Sequence, residues 1–142
     1  MAAVTAQMRI GAPSGQIWER LTDFEGYGRW NATHTGFPQG GPDPLRAGTE
    51  YLENMKLMGF PAEVRWTVRE LRPERLLDIR SKGPMGVTLT MRYALEPDGA
   101  ATTVRIDGEF TGAAVSLMAG KLKDSAGAAL EASLRDLAAL VI

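Results

Sequence analysis

Residues 114–141, AVSLMAGKLKDSAGAALEASLRDLAALV, decide the fold. Val115, Met118, Leu122, Ala126, Ala129, Leu130, Leu134, Leu137 and Val141 recur at i, i+3, i+4 and i+7, the stripe of a helix with one face buried. At 1.5 Å per residue that helix is ~40 Å long. Gly120 and Gly127 weaken it by about 1 kcal/mol each against Ala. They fall on nearly the same face, which admits close backbone packing, a slight looseness, or room for a ligand beside the helix.

A helix this long needs a broad apolar surface to lie on, and the chain before it supplies one. Val4–Ile10 alternates, with Val4, Ala6, Met8 and Ile10 on one side and Thr5, Gln7 and Arg9 on the other. Five more strands are predicted near Thr49–Met58, Ala62–Leu71, Leu76–Lys82, Val87–Glu96 and Thr102–Thr111. Turn chemistry joins the hairpins at Gly59-Phe60-Pro61, Arg72-Pro73-Glu74, Gly83-Pro84-Met85-Gly86 and Pro97-Asp98-Gly99. Val64, Trp66 and Val68 oppose Glu63, Arg65, Thr67 and Arg69, and Val104, Ile106 and Phe110 oppose Thr103, Arg105, Asp107 and Glu109. Such alternation marks antiparallel strands with one wet and one covered face. Between the first strand and the rest, Pro13 and Ser14 open a short helix bearing Ile17, Trp18 and Leu21. A second short helix or turn carries Phe24, Tyr27 and Trp30, and 31–48, rich in Gly, Pro, Asp and Thr, reads as a loop. The fold class is therefore α+β: a curved antiparallel sheet of six to seven strands around the long C-terminal helix, with two short helices after the first strand. Residues 1–142 form a single domain without repeat or linker.

Composition excludes several functions. Lys plus Arg is 16 and Asp plus Glu is 17, so no excess of cations points to nucleic acid. With no cysteine and one histidine, disulfides, thiolate chemistry and iron–sulfur clusters are out and a metal site is not expected. No glycine-rich loop stands between strand and helix to cradle phosphate, and no cofactor is expected. No run approaches the ~20 apolar residues that span a bilayer. The N-terminus lacks a signal-peptide pattern, so the expected location is the cytoplasm.

The chain resembles the START-like, or SRPBCC, superfamily, which includes polyketide cyclases and the birch pollen allergen. The likeness is carried by APSGQIWERLTDFEGYGRWN after the first strand, LRAGTEY opening the second, FPAEVRWTVREL followed by RPERLLDI, then LTMRYALEPDGAATTVRI and the final helix. It implies a helix-grip fold with a deep, mostly apolar cavity between sheet and helix. WNATHTGFP and MGFPAEVRWTV look most like small bacterial members of the polyketide cyclase/dehydrase type, and are also similar to a subgroup of toxins from toxin–antitoxin pairs.

Candidate chemistry is sparse. Glu53 shares a strand face with Tyr51, Met55 and Leu57. Pointing inward, it is a general acid or base; pointing outward, an edge-strand carboxylate. His34, in the loop after Trp30, suits proton transfer near neutrality at the cavity mouth or simply sits in solvent. Asn31 orients a carbonyl or caps a turn. Tyr51, Trp66, Met91, Tyr93, Met118 and Leu122 face inward by period counting, with Trp30, Asn31 and Met55 beside them, as cavity wall or plain core. Arg65, Arg69, Arg92 and Arg105 belong to the wet face. Three functions stay open for a monomer or homodimer. The favoured one is a polyketide cyclase/aromatase-type protein that binds a small apolar or polyketide-like ligand, with Glu53, His34 and Tyr51 in acid–base roles. The others are a non-catalytic carrier or sensor of a lipid or apolar metabolite, and a toxin-like protein acting through protein contact.

Overall fold

The computed structural model describes residues 2–82 and 86–142, apart from the side chains of Leu57, Lys82 and Ala114. Most of the predicted turn at 83–86 lies outside them. Strand β1 (Ala2–Ile10) is followed by helix α1 (Ser14–Leu21) and a single 3-10 turn (Tyr27–Arg29). Six strands come next: β2 (His34–Gly36), β3 (Glu50–Leu57), β4 (Phe60–Arg72), β5 (Leu76–Lys82), β6 (Thr88–Asp98) and β7 (Ala101–Thr111). Helix α2 (Ala113–Val141) ends the chain. All seven strands form one antiparallel sheet in the order β1-β7-β6-β5-β4-β3-β2.

Cross-strand register turns the alternating pattern into a wall. Tyr51, Trp66, Ser81, Leu89, Phe110 and Ala2 pair successively across six strands and share one face. All six are buried. A bulge in β4 between Val68 and Glu70 inserts Arg69 without a partner, and bulges of this kind sharpen the local twist. Gly108 takes the inward position between Ile106 and Phe110. A Cβ there would stand 3.2 Å from both Met91 Sδ and Val4 Cγ2, so glycine leaves room for those two side chains. Helix α2 packs mainly across β1, with further contacts to β7 and α1. Its C-terminus is tied down where Gln16 Nε2 donates to the carbonyl of Val141 at 3.2 Å. Arg65, Arg69, Arg92 and Arg105 are exposed on the convex face, as the pattern required.

Four local expectations are corrected. The second short helix is only the 3-10 turn. The stretch 31–48 contains β2, whose His34 pairs with Met55. The β3–β4 turn is Met58-Gly59, not Gly59-Phe60-Pro61, since Leu57 already pairs with Phe60. Both turn residues have positive φ (54° and 83°), as a two-residue hairpin loop demands. Lastly, α2 is kinked at Met118, where φ is −129° and ψ 16°. The helical stripe counts Met118 inward, but the broken turn leaves it 45% exposed beside a 90% exposed Leu117.

Candidate functional site

The site begins with the segment between α1 and β3. The 3-10 turn buries Tyr27, and Asn31 N donates to Tyr27 O at 3.0 Å. Asn31 Oδ1 then accepts from Thr33 N (3.2 Å) and Thr33 Oγ1 (3.1 Å), the turn cap foreseen for this residue. Ala32 N donates to Ser133 Oγ at 2.9 Å, fastening the segment to α2. Lys56 N donates to Thr33 O at 2.9 Å, fastening it to β3. Held from both sides, His34 has its side chain only 8% exposed. The rings of Tyr27 (5.1 Å) and Phe37 (4.4 Å) pack against it.

Glu53 lies at the centre of this arrangement. It is 3% exposed, and each carboxylate oxygen has its own partner. Trp66 Nε1 donates to Oε1 at 2.8 Å, and His34 Nδ1 lies 2.7 Å from Oε2. A buried carboxylate needs such partners, because an unpaired one would lose its hydration with nothing in return. The sequence left Glu53 undecided between inside and outside; its inward placement follows from the shared face with Tyr51 and Met55, both buried.

Between sheet and α2 lies a cavity of about 60 Å³, room for several water molecules or a compact organic group. Trp30, Asn31, Glu53, Met55, Trp66, Met91, Tyr93 and Leu122 line it, joined by Val4, Leu89, Phe110 and Leu130. The exposed residues Lys56 and Ser125 form its rim. His34, Tyr51 and Met118 do not reach it. His34 stands behind Glu53 rather than at the mouth, because β2 draws it into the sheet. Tyr51 is buried among Phe24 and Phe37, with ring centroids 6.3 and 6.0 Å away. Gly120 and Gly127 take no part either. Neither lines the cavity, and among the described residues a Cβ at either would meet nothing within 4 Å, so only looseness of the helix remains of the three readings.

Three polar residues escaped the sequence reading as members of the site: Ser133, Thr33 and Tyr27. Ser133 alone left a trace, as a hydroxyl four positions from Ala129 on the buried stripe. All three tyrosines of the chain are buried. Burial pushes the Tyr27 hydroxyl well above its ordinary pKa, and the nearby Tyr93, Glu53 and Tyr51 add to the shift. Tyr51 is pushed up by burial and then by the charge of Glu53. Tyr93 is also raised by burial, and hydrogen bonds to Tyr27 and Asn31 offset part of it. All three therefore stay neutral hydroxyls near neutrality, able to donate a hydrogen bond. Among the described residues no group of His, Asp and Glu could hold a metal ion, and no helix is long and apolar enough to cross a membrane.

The family model described as "Polyketide cyclase / dehydrase and lipid transport" matches residues 1–141. The chain belongs to this family. As a polyketide cyclase/dehydrase-family protein it shares its fold with a START superfamily protein from Mycobacterium smegmatis (TM-score 0.76, 19% identity, 99% of this chain and 97% of the other). It is similar in fold to DynU16, a protein of the dynemicin biosynthetic locus, with TM-score 0.73 and 17% identity over 98% of this chain and 46% of that one. Among curated proteins, "Toxin MT0934" and "Toxin Rv0910", from two strains of Mycobacterium tuberculosis, are each 23% identical over 136 residues, 96% of this chain and 92% of theirs. The helix-grip architecture implied by the sequence is thus the architecture of the family.

Proposed function

We propose that this family member binds a small, mostly apolar carbonyl compound in the sheet–helix cavity and moves protons on it with Glu53, as a polyketide cyclase-type protein. The observation that carries the reading is a buried carboxylate, braced on both oxygens, in the wall of a mostly apolar cavity. Glu53 takes a proton from the carbon next to a ligand carbonyl, and the released electron pair forms an enolate. The enolate carbon attacks a second carbonyl of the same chain, making a carbon–carbon bond. The proton on Glu53 goes to the resulting alkoxide, so the ring closes without loss or gain of atoms. His34 holds and reorients the carboxylate from behind, and Tyr93 polarises a carbonyl with its neutral hydroxyl. This gives Tyr93 the role that the sequence assigned to Tyr51.

Glu53→Gln tests the proposal, because it keeps the shape and the acceptor for Trp66 while removing the base. Deuterium exchange at the α-carbon of a bound compact ketone reads the proton transfer directly. General acid–base catalysis is worth roughly 10²–10⁴ in rate, so exchange should slow by about that factor with ketone affinity nearly unchanged. Equal exchange in both proteins would leave a carrier. The toxin names of the two mycobacterial relatives support a second reading, contact with a partner protein that arrests growth. Induced expression in a bacterial host checks it, and growth arrest that persists in Glu53→Gln would favour contact over catalysis.

A further inference from the structure

Two indoles stand in the cavity wall, and their N–H groups differ. Trp66 gives its Nε1–H to Glu53 Oε1 at 2.8 Å. Trp30 is 1% exposed, and its buried Nε1 has no hydrogen-bond partner among the described residues. An indole nitrogen is a donor only, so whatever satisfies it must be an acceptor. A buried donor left without one is rare in native structures and points to a missing group. The ring cannot readily turn away to find one. Tyr27 packs edge-on against it at 5.0 Å and Tyr93 at 6.1 Å.

We propose that Trp30 Nε1–H is the anchor of an oxygen subsite, which receives a neutral carbonyl oxygen of the bound ligand beside the Tyr93 hydroxyl. The inference rests on the cavity-binding reading above and adds the ligand's polarity and orientation to it. Neutrality follows from Glu53. An anionic carboxylate placed deep in the same small cavity would meet a like charge where little water screens it, whereas Lys56, the one cation of the lining, lies at the exposed rim. A carbonyl offers the acceptor without the charge. The apolar body then lies along Val4, Leu89, Met91 and Phe110, all in the same wall. Trp30 thereby fixes which end of the ligand enters first, and Glu53 is presented to the carbon skeleton next to the anchored oxygen.

Nitrogen–proton correlation spectra test this, since the chain has three tryptophans and hence three indole resonances. Cyclohexanone and methylenecyclohexane have nearly the same shape, but only the first carries an acceptor. With cyclohexanone the Trp30 indole proton should move downfield while that of Trp66, already bound to Glu53, stays in place. With methylenecyclohexane the methyl signals of Met55 and Met91 should shift and the Trp30 indole should not. Trp30→Phe should lower cyclohexanone affinity about tenfold and leave the hydrocarbon's nearly unchanged. Should that variant fail to fold, the wild-type spectra decide by themselves. Cyclohexanone that shifts the methionine methyls but not the Trp30 indole overturns the oxygen subsite and leaves the cavity reading intact. If neither compound shifts the methyls, the cavity reading falls and the subsite with it.

Discussion

At the scale of single residues, Glu53 and the tyrosines around it are coupled through burial. The carboxylate is tolerated inside because Trp66 and His34 bond to it, and its charge in turn holds the neighbouring phenols in their neutral form. Burial is the larger cause for each of the three tyrosines, and each is raised above its ordinary value. A group whose ionisation is raised in the folded chain contributes its full stability below the unfolded value, about pH 10 for tyrosine. Above that pH the unfolded chain releases protons first and the contribution is lost. The protein should therefore show no tyrosinate absorbance on titration to about pH 10, and beyond it tyrosinate should appear together with loss of the helical dichroism signal. Because the chain has only three tyrosines, all buried, any one that ionised near pH 10 in a still-folded protein would contradict the cluster. Little of this was legible in the sequence. Tyr51, Trp66 and Tyr93 were placed inward by period two, but the bond from Trp66 to Glu53 is diagonal across β3 and β4. It depends on a register that no single strand encodes.

Among the elements, those with a long period were legible and those without one were not. Helix α2 shows its stripe over many turns, and its start and end matched the pattern to within a residue. Met118 broke that pattern because a kink is a local event that a periodic count averages over. β2 left no signal at all, since a run of three residues is too short to alternate convincingly. What makes it a strand is the backbone of β3, a partner some twenty residues away, and with it goes the burial of His34. The Met58-Gly59 turn has the same character. Met58 sits in the left-handed region, which costs a residue with a Cβ roughly 1 kcal/mol, and its side chain reaches the cavity lining. The two helix glycines have no such function in the fold. Gly120→Ala and Gly127→Ala should each stabilise the protein by about 0.5–1 kcal/mol, because the new methyl meets nothing and the unfolded chain loses freedom. For a domain of this size that raises the melting temperature by about 2–4 °C. Thermal unfolding of the two single variants measures it, and a lower melting temperature in either would mean that the helix needs its glycine for packing.

On the scale of the whole molecule, a curled sheet and a long helix cannot touch everywhere, and the cavity is where they part. The bulge in β4 deepens the curl, and small residues on α2, Ala126 and Ala129, keep the helix from filling the gap. The gap was foreseen as a consequence of family resemblance; its small volume and its one braced carboxylate come only from three-dimensional packing. Filling it with a ligand adds contacts to the folded state alone, so stability must rise by mass action. A compact ketone at a hundred times its dissociation constant should add about 2.7 kcal/mol, or about 5–10 °C in melting temperature. Ala126→Leu places extra side-chain volume in the same space from the helix side. That variant should fold, as Ala126 is only half-buried, and its melting temperature should rise little or not at all with ketone. Thermal scans of both proteins across a ketone series measure the difference. A wild-type curve that does not move with ligand would mean that the folded chain binds no ketone, and an equal shift in Ala126→Leu would put the binding site somewhere other than between sheet and helix.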